Sequence, residues 1–504
     1  MTTPNESYND PDILRFLNAS TIQRLQMATE AGVASKLKTY LGESAYEELR
    51  FLAAKALDVK KTPLSIGIPP NLIFVPGVMG SVLKSENRGG IWWIDVRTRH
   101  HLKDLKLAPD GQRDVDPAFE IMPCAVDFLY EPFFTAVDES QGFHHRTFYY
   151  DWRKPLELSA NMLRDQVNET YAKNGNEPVH VVAHSMGGLM IRAALMKYGT
   201  EMWPKIDRIA LLGTAHYGLP TISGYLKNHL WGCESLAILG LYLDRETFRS
   251  LWGVLSVLPA PRGIYPGTRP GDSAPWKSSN ASDPYLHPCA NFDMYQAEKW
   301  DLELTPKQTH QLQGALDSAD RFHKDLYSSH LALGQDQRDR MAVIAGVGYE
   351  TLFRLAYKEH LGGLWTSMEK VKSRVPGDPH RDGDGRVPVA SAVLENVGEL
   401  RYVKGIHGDL PMIQEVYDDV FRWLKKEPMK LPRTPNDALE SPLAGGAPVS
   451  DAPHLTHATT VNPATGDPGY WDLDSLPPDP LRASEIEAQL AKEELPAFNR
   501  IRLL

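Results

Sequence analysis

The chain has 504 residues, 42% of them hydrophobic and 23% charged, the balance of a folded globular protein. That length exceeds what one compact core usually needs, so one large domain with additions, or two domains, is expected. A formal net charge of −10 and the lack of long basic runs argue against nucleic acid as a partner. They argue equally against adsorption to anionic membranes by charge alone, since phosphates are held chiefly by Lys and Arg.

No stretch approaches the roughly 20 apolar residues that cross a bilayer. Met1-Thr2-Thr3-Pro4-Asn5-Glu6 has neither the basic start nor the apolar core of an export signal. The expected location is therefore the cytoplasm, with secretion by a route that reads no cleavable signal left open. Cys124, Cys233 and Cys289 are an odd number at wide spacing without a CxxC pair, which fits a reducing compartment and gives no basis for structural zinc.

Residues 1–65 read as a helical extension. The Ala-rich stretch from about 10 to 58 lacks turn clusters, and Ser44 with Glu47 forms a capping box ahead of Tyr46, Leu49, Leu52 and Ala53 at helical spacing. The first convincing strand is Asn71-Leu72-Ile73-Phe74-Val75, an apolar run suited to burial on both faces and ended by Pro76-Gly77. Similar runs follow at 147–150, 179–183, 206–212, 341–345 and 400–403, with helical patterns at 158–172, 186–198 and 412–424. Strands alternating with helices predict an α/β fold over 66–426, with a mostly parallel central sheet and helices on both faces.

Between about 216 and 335 the alternation stops. The segment is rich in Pro, Gly and Trp (Trp231, Trp252, Trp276 and Trp300) and reads as an inserted cap or lid. From 427 to 504 the composition shifts to Pro, Ala, Asp and Thr, predicting a linker and tail. A short helix is expected from Ser484, with Glu487 closing a capping box and Ile486 and Leu490 on one face.

The chemistry centres on Ala183-His184-Ser185-Met186-Gly187-Gly188. The pattern small-x-Ser-x-Gly arises by chance in about a third of chains this long. Here it falls directly after an apolar strand and before a helix, the strand–turn–helix of a nucleophile elbow. The crowded turn demands small residues two before and two after the serine, which Ala183 and Gly187 supply. The bland alternative is a serine that merely caps a helix.

A serine hydroxyl needs an imidazole to take its proton and a carboxylate to orient that imidazole. On this architecture they follow in the order acid, then His, on loops after later strands. His407, after the last strand and before the last helix, is the candidate base. Asp384, in Asp382-Gly383-Asp384-Gly385-Arg386-Val387-Pro388, is the candidate acid, with Asp382 as its competitor. A calcium loop is excluded by spacing, because the position of the bidentate Glu would be Val393. The tetrahedral intermediate needs two donors, and the backbone N–H groups of Met186 and of Val78, in Pro76-Gly77-Val78-Met79-Gly80-Ser81, are placed for it.

Together with Tyr150-Asp151-Trp152-Arg153, Gly213-Thr214-Ala215-His216-Tyr217-Gly218 and Gly405-Ile406-His407-Gly408, these segments resemble the lecithin:cholesterol acyltransferase family of α/β-hydrolases. That family includes lysosomal phospholipase and phospholipid:diacylglycerol acyltransferases. The resemblance spans roughly residues 70 to 425. It implies a Ser185–Asp384–His407 triad, favouring Asp384 over Asp382, with Val78 and Met186 as oxyanion donors and lipid acyl esters as substrates.

The resemblance also implies transient contact with a membrane surface, and no cofactor or metal. Trp92, Trp93 and His216 become candidate substrate or lid residues, while Asp151-Trp152-Arg153 suits a structural ion pair as well as substrate contact. The chain departs from the family by lacking any Cys between Lys84 and Pro123, where secreted animal members carry a disulfide, and by Ala215 where Pro is common. The extension and tail lie outside the resemblance, which suggests a specialised bacterial member.

The expected reaction is ping-pong acyl transfer to water or a lipid alcohol. The rival readings are an esterase for a non-lipid acyl compound, an antibacterial or host-directed phospholipase effector, and a non-catalytic binding module.

Overall fold

The computed structural model describes residues 10–19, 21–41, 43–58, 69–93, 96–140, 142–227, 243–272, 292–360, 363–370, 382–441 and 470–472. The expected C-terminal helix at Ser484 lies outside them. Four helices open the chain: α1 (Pro11–Asn18), α2 (Thr21–Thr29), α3 (Ala31–Leu41) and α4 (Glu43–Asp58). α4 starts at Glu43, so Ser44 stands inside the helix rather than at its cap.

The frame of the molecule is a six-stranded sheet in the order β13-β8-β7-β6-β1-β5. Its strands are β1 (Leu72–Val75), β5 (His145–Thr147), β6 (Val179–His184), β7 (Ile206–Leu212), β8 (Met341–Val347) and β13 (Glu399–Lys404). All five pairings are parallel. The strand predicted at 147–150 is shifted: β5 ends at Thr147, and Phe148 continues only as a single backbone bond to the Phe74 carbonyl.

Alternate residues along each strand serve opposite faces, the period of a pleated backbone. Ile73, Val75, Val181, Ala183, Ile209, Leu211 and Val343 pack toward α6 (Leu156–Lys173) and α7 (Met186–Met202). Leu72, Phe74, Val182, Ala210, Leu212 and Ile344 pack toward α5 (Glu131–Glu139) and α10 (Gln414–Leu424). The sheet is therefore wrapped on both faces, as the alternation of elements predicts.

Three features departed from the sequence reading. A small antiparallel sheet, β3-β2-β4, forms from β2 (Ser81–Ser85), β3 (Ile91–Trp93) and β4 (Ile121–Val126) beside the first strand. The N-terminal helices pack onto it, burying Leu37 and Leu49 against a cluster that includes Val82, Ile91 and Ala125. The third is the segment just after 427, expected to be linker, which is packed: Met429 and Leu431 are buried with α10, Tyr402 N–H donates to the Pro432 carbonyl, and α11 (Pro435–Glu440) lies on β13.

Within the stretch expected to form a cap, α8 (Pro220–Lys227) precedes two short helical turns, Arg245–Arg249 and Trp252–Leu255. Then α9 (Pro306–Leu331) runs for 26 residues from a Thr305/Gln308 capping box. Leu312, Leu316, Phe322 and Leu326 of α9 share one continuous core with the sheet and α7. A hairpin of β10 (Leu352–His360) and β11 (Gly363–Lys370) follows β8 and the short β9 (Tyr349–Glu350), which pairs with β12 (Asp382–Gly383). Among the described residues no helix is long and apolar enough to cross a membrane.

Because Leu37 is fully buried in the N-terminal cluster, Leu37→Ala should cost about 2–5 kcal/mol of stability in that layer. Urea unfolding, with amide exchange resolved by segment, should show the loss first in α1–α4.

Candidate active site

Strand β6 ends at His184, and Ser185 then adopts φ 53° and ψ −125°, a region that a residue with a Cβ rarely enters. The turn is held from both sides: Ser185 N–H donates to the Leu212 carbonyl at 2.9 Å, and Gly188 N–H to the Ser185 carbonyl at 3.0 Å. Helix α7 begins at the next residue, so its first N–H groups have no partner within the helix and face the serine. Gly187 is required by contact. A Cβ there would lie 2.4 Å from the Val75 carbonyl oxygen and 2.5 Å from that of Pro76.

His407 opens a turn after β13, and its ring bridges to residues far away in sequence. Ser185 Oγ–H donates to Nε2 at 2.9 Å, and Nδ1–H donates to Asp384 Oδ2 at 2.7 Å. The other carboxylate oxygen, Asp384 Oδ1, accepts from the backbone N–H of Val387 at 2.7 Å and of Arg386 at 3.0 Å. His407 N–H donates to the Asp384 carbonyl at 2.9 Å, which fixes main chain as well as side chain. Ser185, Asp384 and His407 are 2%, 0% and 0% exposed, so the three groups interact out of water, where hydrogen bonds to charge are strongest.

Asp382, the competitor, is placed differently. Its Oδ1 accepts from Gly348 N–H at 3.0 Å and from its neighbour Gly383 at 2.8 Å, bracing the β9–β12 turn that carries Asp384. The same loop is tied to α8 by a hydrogen bond from Arg386 to the Tyr225 hydroxyl.

The turn 76–80 lies against the serine: a Cβ on Gly77 would sit 2.9 Å from Ser185 Cβ. Among the described residues the backbone N–H groups of Val78 and Met186 donate to no protein acceptor. Met79, with φ 60°, turns the chain back. Its carbonyl accepts from Trp93 Nε1–H at 2.8 Å, and the Pro76 carbonyl accepts from the Tyr150 hydroxyl at 3.1 Å.

Trp92 and Trp93 are therefore not on a surface loop. Both are buried in β3, Trp92 stacked on His101 and Trp93 edge-on to Trp152. This geometry gives Trp93 a bracing position behind the turn and leaves neither indole facing a membrane. His216 is also buried, and its Nδ1 accepts from Arg192 at 3.2 Å. Burial, then the charge of Arg192, pushes the His216 pKa well below its usual value, so the ring is neutral. Asp151 and Arg153 form a buried two-point ion pair at 2.9 and 2.7 Å, and Arg153 reaches on to Asp114 at 2.9 Å. The three guanidinium nitrogens of Arg153 and both Asp151 oxygens are thus engaged within the protein.

Sequence reasoning quoted Tyr150 only as part of a family-like segment and missed Tyr130, whose hydroxyls reach the 76–80 turn, and it treated His184 as a free position in the serine motif. Nothing local to those residues reveals their partners, since each acts across at least 53 positions of chain.

The parallel sheet and the serine elbow define an α/β-hydrolase. The family model for lecithin:cholesterol acyltransferase matches residues 141–232, a span that holds Ser185 but neither Asp384 nor His407. Phospholipase A(1) LCAT3 of Arabidopsis thaliana is 20% identical over 435 residues, covering 72% of this chain and 92% of that protein. An uncharacterized protein of Saccharomyces cerevisiae is 27% identical over 134 residues, which is 25% of this chain and only 20% of that one. A solved Tle4–Tli4 complex contains a chain with 15% identity and a TM-score of 0.44, over 71% of this chain and 97% of that one. The chain thus has an α/β-hydrolase fold and is similar, over the segment that carries the serine elbow, to the lecithin:cholesterol acyltransferase family.

Since the elbow has no room for a side chain at 187, Gly187→Ala should force β1 and α7 apart. Folded protein recovered from that variant should lose more than 90% of its labelling by a fluorophosphonate probe.

Proposed function

We propose that this protein cleaves lipid acyl esters through a covalent acyl-enzyme on Ser185. The observation that carries the reading is the buried series Asp384–His407–Ser185, in which each donor meets one acceptor at 2.7 to 2.9 Å. With Nδ1–H held by Asp384, the Nε2 lone pair of His407 is directed at the serine hydroxyl, the tautomer a general base needs.

In this reading His407 Nε2 takes the Ser185 proton as Oγ bonds to the ester carbonyl carbon. The carbonyl π pair moves to oxygen, which the N–H groups of Met186 and Val78 receive. The oxyanion then collapses, the ester C–O bond breaks, and the leaving alkoxide takes the proton from His407. Asp384 stabilises the imidazolium without itself taking the proton. Water, or an alcohol, repeats the sequence on the acyl-enzyme and returns Ser185 to its starting state.

Lipid is favoured over a small soluble ester on two grounds. One is the relative named as a phospholipase A(1), which matches most of this chain. The other is the burial of Ser185, which fits a site that admits an acyl chain only after its cover moves.

Ser185→Ala should abolish both fluorophosphonate labelling and ester hydrolysis. Asp384→Asn should lower kcat by roughly 10³–10⁴-fold, because the amide holds the wrong tautomer. Both are checked with a panel of mixed-micelle phospholipid, glyceride and p-nitrophenyl butyrate. Failure of the wild type to be labelled under any lipid condition would overturn the reading. Faster turnover of the soluble ester than of every lipid would move the substrate away from lipid.

A further inference from the structure

Behind the catalytic centre runs a second buried hydrogen-bond series, made by groups that take no part in the chemistry. Gly77 N–H donates to the Tyr130 hydroxyl oxygen at 3.1 Å. That hydroxyl lies 2.9 Å from His184 Nδ1, and His184 Nε2 lies 3.0 Å from the His407 carbonyl oxygen. The directions are forced. A carbonyl only accepts, so His184 carries its proton on Nε2, and Nδ1 must then accept from the Tyr130 O–H. Burial, then the neighbouring His407, pushes the His184 pKa well below its usual value, consistent with a neutral ring in this tautomer. The series joins the oxyanion turn at one end to the main chain of the base at the other.

Tyr130 is itself held by a dense local frame. Asp127 N–H donates to the Gly80 carbonyl at 2.9 Å, and Asp127 Oδ1 caps the turn 128–130 through Leu129 N–H at 2.9 Å. The next residue, Glu131, is completely buried and accepts from Arg24 Nη1 at 2.7 Å. Arg24 belongs to α2 and also donates to α1, giving Nε to the Phe16 carbonyl at 3.0 Å and Nη2 to that of Leu17 at 2.7 Å. An ion pair this deeply buried gains little net stability, but breaking one half of it is costly. Its visible effect is to lock the N-terminal helices onto the residue beside Tyr130.

We propose that Tyr130 is a positioning residue, whose hydroxyl sets the oxyanion turn against His407 through His184, and that the N-terminal helices hold it there through Arg24–Glu131. The proposal rests on the reading of Ser185, His407 and Asp384 as an acyl-transfer triad. It gives the helical extension a role in turnover although none of its described residues reaches the serine.

The test uses the full-length protein with p-nitrophenyl butyrate and a fluorophosphonate. Tyr130→Phe keeps the ring and removes the hydroxyl. The expected result is a kcat lowered about 10- to 100-fold, the range for a small misplacement of reacting groups, with KM within twofold and the fluorophosphonate labelling rate lowered in parallel. The neutral pair Arg24→Met/Glu131→Gln should lower kcat about tenfold in the wild type and by less than twofold in the Tyr130→Phe background. Arg24→Lys serves as the milder variant if the neutral pair does not fold, and should show the same dependence on Tyr130.

A Tyr130→Phe enzyme with kcat within twofold of wild type overturns the proposal. So does one that loses thermal stability and raises KM while kcat stands. Additive losses overturn the part assigned to Arg24–Glu131. A wild type that neither hydrolyses the ester nor takes the label overturns the triad reading beneath it, a result separable from all of these because they are ratios to an active wild type.

Discussion

The backbone turn at Ser185 is the constraint on which the rest of the centre depends. A residue with a Cβ at φ 53° and ψ −125° costs on the order of 1–3 kcal/mol and persists only where its surroundings over-determine it. Here they do. The turn is hydrogen-bonded to β7 on one side and to the first turn of α7 on the other, and Gly187 allows α7 to press against the carbonyls of β1. The strain stands the hydroxyl off the edge of the sheet and aims the free N–H groups of a helix start at the same point. A helix start is also where a developing negative charge is best received.

The parallel sheet converts this local turn into a site. When every strand runs the same way, every C-terminal end lies on one edge, and strand order decides which loops meet. β1 beside β6 sets the turn 76–80 against the serine. β8 beside β13 sets the Asp384 loop against His407. β7 lies between the two pairs, and Gly213, at its exit, has φ 54° with Leu410 and the His407 ring packed against it, a conformation that favours glycine. The hydrogen bond from serine to histidine, which spans 222 positions of sequence, needs no special loop beyond this order.

This division explains what the sequence made legible. The elbow could be read because its demands are local: a buried strand, small residues at fixed offsets and a helix start. The sheet could be read because buried strands are apolar throughout. Asp384 and Asp382 could not be separated by pattern, since both stand in one polar turn and differ only in what lies opposite. The sheet β3-β2-β4 escaped notice because its strands are short and two of them carry polar or proline residues, such as Lys84 and Pro123. The segment after 427 looked like linker because its few buried groups, Met429 and Leu431, sit among Pro and Lys. Tyr130, His184 and Arg24 were invisible for a different reason. Their partners are distant in sequence, and a lone Tyr, His or Arg signals nothing about its partner.

The two tyrosines that reach the 76–80 turn share a further arrangement. Tyr150 binds the Pro76 carbonyl and is followed by Asp151, paired with Arg153; Tyr130 binds the Gly77 N–H and is followed by Glu131, paired with Arg24. Each hydroxyl is thus adjacent in sequence to a buried carboxylate fixed by an arginine. Aromatic packing alone could not fix the orientation of the turn, because dispersion has no preferred direction, whereas a hydrogen bond to a carbonyl or an N–H weakens steeply away from its preferred angle. The ion pairs supply what the hydroxyls lack, an anchored side chain on the residue next to each tyrosine. One of them draws on Arg153 within the sheet domain. The other draws on Arg24, so half of the frame around the 76–80 turn comes from helices that precede the hydrolase fold.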